Sequence, residues 1–284
     1  RNISISNCVA QSDGGGIYTL GSTYISFKNS TLQNNHATDN GGALYLKLST
    51  FSIIQEIKFS HNAVQNGNGG GIFISDNSTV QNSTALSFIS HTIYNGGNGS
   101  AIYVEKKSLV EISKSSFTNN LISNGTGHGG GIYSDKESAL YIQDTLFTHN
   151  KIEDKGNGGG IYTDNYKICM FNNCTFVGNQ ATNGGGIYMK NYDTYVSTEN
   201  RLIMKNLTDK SDKLSAFVMI SNMSFHQNNA SSNGGGIYYE NLDTAIEQVN
   251  IQHIEIMDNE AGEDGGGICI IIPQQTQIEQ QSKQ

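Results

Sequence analysis

Apolar residues in this chain come in short alternating runs, and the runs themselves recur. Pairs two residues apart, such as Ile25 and Phe27, Val110 and Ile112, Leu140 and Ile142, Cys169 and Phe171, Val218 and Ile220, and Val249 and Ile251, place their side chains on one face of a strand. Five residues beyond each pair stands an isolated anchor, and the full column reads Ile5, Leu32, Phe59, Phe88, Phe117, Phe147, Phe176, Phe225 and Ile256. Three residues past the anchor come Cys8, Asn35, Asn62, His91, Asn120, Asn150, Asn179, Asn228 and Asn259. Five past it come Ala10, Ala37, Val64, Ile93, Ile122, Ile152, Ala181, Ala230 and Ala261. A glycine-rich signature follows, Gly14-Gly15-Gly16-Ile17-Tyr18 in its first copy and Gly265 to Cys269 in its last. The pattern predicts three short strands per repeat: one at the Gly-Gly-Gly-Ile-Tyr, one ending five residues before the anchor, and one around the anchor.

Measured at the aliphatic marker (Ile17, Leu44, Ile72, Ile102, Ile132, Ile161, Ile187, Ile237, Ile268), the repeats are spaced by 27, 28, 30, 30, 29, 26, 50 and 31 residues. Units of this size cannot bury an apolar face alone, whereas stacked coils can. The expected fold is all-β, a single right-handed parallel β-helix of nine coils with roughly 29 residues each, a rod on the order of 43 Å at about 4.8 Å per coil. Asn35, Asn62, Asn120, Asn150, Asn179, Asn228 and Asn259 then form a ladder, each amide reaching its counterpart in the next coil. The long spacing marks an insertion, residues 191–215, and the Gln-rich stretch 273–284 reads as a tail or the start of another coil. Arg1 to Ile5 already reads as the middle of a repeat, so the sequence is expected to be part of a longer chain.

Composition narrows the function. Glycine is abundant (33), proline occurs once and tryptophan is absent, which favours turns and strands over helices. A net charge of -8 offers no basic stripe for nucleic acid. No apolar run is long enough for a transmembrane helix.

Candidate chemistry lies on the outer faces. By alternation, Tyr18, Tyr45, Phe73, Tyr103, Tyr133, Tyr162, Tyr188 and Tyr238 form an aromatic stripe that is a candidate surface for a carbohydrate or protein partner. The opposing reading is an aromatic ladder that stabilises the sheet and is covered by its neighbours. Two residues on, Glu105, Asp135 and Asp164 fall in consecutive coils, a spacing that suits a glycosidase pair or a Ca²⁺ site. Ser-Asp and Thr-Asp after a strand are equally an ordinary turn start. No Asp-Asp pair occurs, arginine is confined to Arg1 and Arg201, and the seven histidines are scattered, so no cofactor or metal ladder is expected.

Acceptor sequences for asparagine-linked glycans occur at Asn2, Asn29, Asn77, Asn82, Asn98, Asn124, Asn173, Asn206, Asn222 and Asn229. Asn2, Asn29, Asn173 and Asn222 share one register, three residues before the anchor. Cys8 and Cys269 are too distant in the rod to bond, while Cys169 and Cys174 share a coil and either bridge or pack.

The pairing of Phe-x-x-Asn (Phe59 to Asn62, Phe117 to Asn120, Phe147 to Asn150, Phe176 to Asn179, Phe225 to Asn228) with Gly-Gly-Ala/Gly-Ile/Leu resembles the repeat of the chlamydial polymorphic outer-membrane proteins, within the pectin-lyase-like class. That resemblance implies a secreted or surface-displayed passenger for adhesion or coat formation. The expected function is thus a structural or adhesive module of an extracellular, N-glycosylated surface protein or fibril, with lateral or end-to-end self-association. The alternative is a polysaccharide lyase or glycoside hydrolase working on the outer face.

Overall fold

A computed structural model describes residues 2–21, 25–191, 217–241 and 248–272. The insertion expected at 191–215, Asn191 apart, and the tail expected at 273–284 lie outside the described residues. Every strand pairing is parallel, and three sheets run the length of the molecule. Sheet 1 holds the strands after the glycines, such as Ile132–Ser134 and Ile161–Asp164. Sheet 2 holds the longest strands, such as Thr79–Ile89 and Gln248–Met257. Sheet 3 is built from two-residue strands, His36–Ala37 and Leu121–Ile122 among them. Among the described residues sheets 1 and 3 each contain nine strands, nine levels joined by eight full turns, against the nine coils expected.

The strands differ in one respect from the three read in the sequence. The strand before the anchor and the strand around it belong to one sheet, as Leu109–Ser113 and Ser116–Thr118 both lie in sheet 2. Between them the chain turns at a residue of positive φ, found at the same register in every coil: Asn2, Asn29, Glu56, Ala85, Lys114, Asp144, Asn173, Asn222 and His253, at 48–56°. A small hydroxyl or thiol next to the kink secures it in several coils. Ser30 Oγ donates to the Lys28 carbonyl at 2.8 Å, Ser115 Oγ to Ser113 at 2.7 Å, Thr145 Oγ1 to Gln143 at 2.8 Å and Cys174 Sγ to Asn172 at 3.3 Å. The third sheet comes instead from the dipeptide that ends five residues past the anchor.

A second left-handed column turns sheet 2 into sheet 3. Asn7, Asn34, His61, Ser90, Asn119, His149, Gly178, Gln227 and Asp258 have φ of 53–63°. Directly after it stands the buried Asn ladder. In one rung, Asn120 Nδ2 donates to Asn150 Oδ1 at 2.7 Å, Asn120 N donates to the same oxygen at 3.2 Å, and Asn150 Nδ2 donates to the Phe117 carbonyl at 3.0 Å. The amide satisfies backbone groups that the turn takes out of the ladder of the sheets.

Glycine is required where the chain turns into sheet 1. Gly129 has φ +70°, and a Cβ on Gly130 or Gly131 would stand 2.4 or 2.6 Å from the carbonyl oxygen of Gly159 or Gly160 in the next coil. The core is a column of Phe59, Phe88, Phe117, Phe147, Phe176 and Phe225, flanked by Ile132, Ile161, Leu140 and Ile142. Successive Phe rings stack with centroids 4.6–5.0 Å apart. None of the four cysteines is in a disulfide, so Cys169 and Cys174 pack rather than bridge. Burial pushes the Cys174 thiol up to about 12.

Candidate functional site

The outer face of sheet 1 carries both of the chemically distinctive columns. From Tyr18 to Tyr238 the rings stack with centroids 4.7–5.1 Å apart and planes within 10° of parallel. They point away from the Phe core and form a cluster of their own. Stacking nevertheless covers them. Tyr45, Phe73, Tyr133, Tyr162, Tyr188 and Tyr238 are only 5–8% exposed, Tyr103 is half-buried, and Tyr18 alone is open at 50%. The stripe expected as an exposed contact surface is therefore mostly closed, because each ring spends its two faces on its neighbours. Only ring edges and hydroxyls reach its rim.

Those hydroxyls meet the next column. Tyr188 Oη donates to Glu240 Oε2 at 2.7 Å, and the charges of Asp135 and Glu105 act on the Tyr103 phenol. Burial first, and then the carboxylates, raise the phenols of Tyr103, Tyr133 and Tyr188 far above the ordinary range, and that of Tyr238 to about 12. Phenols in this setting act as hydrogen-bond donors and do not ionise.

Glu105, Asp135 and Asp164 do occupy successive levels beside the rings, yet each faces a different partner. Glu105 Oε2 accepts from Ser75 Oγ at 2.5 Å and from Asp76 N at 3.2 Å. Asp135 Oδ1 accepts from Lys136 N at 2.8 Å. Burial, then the charges of Asp164 and Glu105, raise the Asp135 carboxyl above its usual range. Asp164 is 9% exposed and pairs in register with Lys190, whose ammonium lies 3.4 Å from Glu240. Among the described residues, no three His, Cys, Asp or Glu side chains are grouped to hold a metal ion, Ca²⁺ included.

A second polar ladder, not anticipated from the sequence, borders this face immediately before the glycines. Its rungs are Asp13, Asn40, Asn68, Asn98, His128, Asn157, Asn183, Asn233 and Asp264. Asn98 Oδ1 accepts from His128 N at 2.8 Å, and His128 Nδ1 accepts from Asn157 N at 3.1 Å. The imidazole thus carries its proton on Nε2, stacks on Tyr162 at 4.6 Å, and is pushed down in pKa by burial against the opposing pull of Asp164. The signal was present as the residue preceding each glycine triplet.

The glycan acceptor positions divide by geometry. Asn2, Asn29, Asn173 and Asn222 are exposed residues at the sheet 2 kink, and the following strand supplies the Ser or Thr of each acceptor sequence. Asn tolerates left-handed φ better than most residues, so the fold alone gives a reason for these asparagines. Asn77, Asn82, Asn124 and Asn229 are exposed, Asn98 is engaged in the second ladder, and Asn206 lies outside the described residues.

The run from the kink through the anchor, the Asn rung and the glycines to the end of the sheet 1 strand recurs along the molecule, and three copies of it match a known repeat. Residues 29–47, 144–164 and 173–190 match the Chlamydia polymorphic membrane protein repeat. In these three segments the chain is similar to that repeat, and they lie within a parallel β-helix. Each matched segment begins at a kink residue, Asn29, Asp144 or Asn173, and ends at Lys47, Asp164 or Lys190 beside the Tyr column. No curated protein and no solved structure gives a significant match. No helix among the described residues is long and apolar enough to cross a membrane.

Proposed function

We propose that this chain is a surface-displayed structural or adhesive module, a rigid spacer that presents its turns and edges to a partner. The observation that carries the reading is the match of three coil segments, 29–47, 144–164 and 173–190, to the polymorphic membrane protein repeat, a repeat named for membrane proteins. The continuity of the Phe, Tyr and Asn columns supports it, since a rod stabilised at every level keeps its shape under load without depending on one site. On this reading the exposed kink asparagines carry glycans, and rods associate laterally in a coat or fibril. Contact with a carbohydrate or protein partner falls to the turn residues, because the aromatic faces are already occupied.

The test is labelling of intact and permeabilised cells with an antibody against an exposed turn such as residues 153–155. Signal on intact cells is expected, and signal only after permeabilisation overturns the proposal. Beads coated with the folded chain, compared with beads coated with heat-denatured chain, then separate adhesion from a purely structural role.

A further inference from the structure

The chain contains nine Asn-Gly pairs, and the fold treats them in two ways. Six belong to the second polar ladder: Asn40, Asn68, Asn98, Asn157, Asn183 and Asn233. In each of these the glycine N–H donates to a carbonyl of the next coil at 2.9–3.0 Å, as from Gly99 to His128 and from Gly184 to Asn233. The other three, Asn66, Asn95 and Asn124, are exposed and stand in the turn between sheets 3 and 1. Asn95 Nδ2 donates to Asn66 Oδ1 at 2.7 Å, so those two side chains hold each other. Asn124 is different. It sits at φ +54°, and the N–H of Gly125 donates to Asp154 Oδ2 of the next coil at 2.6 Å.

We propose that Asn124-Gly125 is a self-modification site that converts to aspartate and isoaspartate through a succinimide, with Asp154 as its general base. The Asp154 carboxylate takes the proton of the Gly125 nitrogen, which forms a bond to Asn124 Cγ. The Cγ–Nδ2 bond breaks, and the proton returned by Asp154 leaves with the nitrogen as ammonia. Water then opens the ring at either carbonyl, giving the α- or β-linked acid with no change in oxidation state. Proton transfer by a group already in hydrogen-bond reach, and approach of nitrogen to carbon, are the two requirements. Attack needs the Asn124 backbone to swing. Gly125, at φ +121° with its nearest surroundings 3.5 Å from a built Cβ, permits that in an exposed turn. In the six ladder pairs the attacking nitrogen is bound to the next coil and the amide to its neighbours. Conversion places a second carboxylate beside Asp154, and it destroys the acceptor sequence Asn124-Gly125-Thr126, so this site takes either a glycan or the acid.

The inference is independent of surface display, because it is tested on the full chain made without glycosylation in a bacterial host. The protein is incubated folded at neutral and mildly alkaline pH, and each Asn-Gly peptide is quantified by mass spectrometry. Asn124 is expected to convert at least about tenfold faster than the six ladder pairs. Asp154→Asn, at an exposed position, is expected to slow Asn124 severalfold and leave Asn66 and Asn95 unchanged. In urea-unfolded chain the advantage of Asn124 disappears. A rate at Asn124 no higher than in the ladder pairs, or one unaffected by Asp154→Asn in protein of unchanged thermal stability, overturns the proposal.

Discussion

Two aromatic columns run through this molecule at the same pitch, one inside and one outside. The Phe column stacks at 4.6–5.0 Å within the core, and the Tyr column stacks at 4.7–5.1 Å on the outer face of sheet 1. Phe117 and Phe147 are fully buried, while Tyr133 and Tyr162 are 8% and 7% exposed. The near equality of burial has different causes. Both rings lie between two stacked neighbours, but the edges of a Phe ring are closed by aliphatic side chains of two sheets, whereas those of a Tyr ring meet a rim of carboxylates and turns. Removing one Phe opens a void that the rigid coils cannot close, and removing one Tyr opens a notch that water can fill.

That difference makes Phe117→Ala the most damaging change. It is expected to destabilise the rod by about 3 to 5 kcal/mol in denaturant or thermal unfolding. A loss equal to that of the outer column would mean that the two columns are energetically alike. Asn150→Ala sharpens the point without touching a ring. It strips partners from the Asn120 N–H, the Asn120 amide and the Phe117 carbonyl. Buried groups left unsatisfied cost about 1 to 3 kcal/mol each, and with partial relaxation the expected loss is about 3 kcal/mol. Tyr133→Ala comes next, at about 2 kcal/mol, from the lost apolar area and two stacked pairs. The same variant separates structure from recognition. Glycan-array binding by the folded chain should be unchanged by it, and a loss of binding there would restore the outer column as a contact surface.

How far all this could be read in the sequence depends on how each device is encoded. The glycine triplets, the Phe anchors and the Asn rungs are legible because each is met by one residue type: Gly130 by close approach of the next coil, Phe117 by volume, Asn150 by an amide that both donates and accepts. The two left-handed columns are not legible, because Ala85, Lys114, Glu56 and His253 hold the same φ as Asn29 and Asn173. The neighbouring coils impose that conformation, and local preference only favours it where Asn stands. Sheet 3 was missed for a simpler reason: a two-residue strand such as Leu121–Ile122 has no alternation to detect. The closure of the Tyr column escaped because alternation fixes direction and says nothing of coverage, which comes from residues 26 to 50 positions away. The carboxylates lie beside the Tyr column, yet a partner from another coil, such as Ser75 Oγ for Glu105, is legible only once the coils are stacked.

The smallest effect concerns the interior rung where, as in the end rung at Cys8, the inner turn departs from asparagine. His91 replaces it, fully buried, with its ring edge-on to Phe88 at 6.0 Å. Its Nδ1 accepts from Asn62 N at 3.2 Å, but its Nε2 has no hydrogen-bond partner. Burial holds the imidazole neutral, with a pKa pushed down from 6.5 to about 3. Between these values the unfolded chain binds a proton that the folded chain refuses. The contribution is therefore complete above pH 6.5 and is lost progressively as pH falls towards 3, with a slope near 1.4 kcal/mol per pH unit. His91→Asn replaces a ring that donates nothing to the next rung with an amide that can reach Asn120 Oδ1, which already accepts from the backbone N–H at this position. The expected gain at neutral pH is about 1 kcal/mol, and unfolding measured between pH 4 and pH 6 should lose most of its pH dependence from this site. A variant less stable than the parent at neutral pH would mean that the ring contributes more by filling space beside Phe88 than its orphaned nitrogen costs. In that case the inner column tolerates a missing hydrogen bond better than a missing volume, the same ranking that places Phe117→Ala above Asn150→Ala.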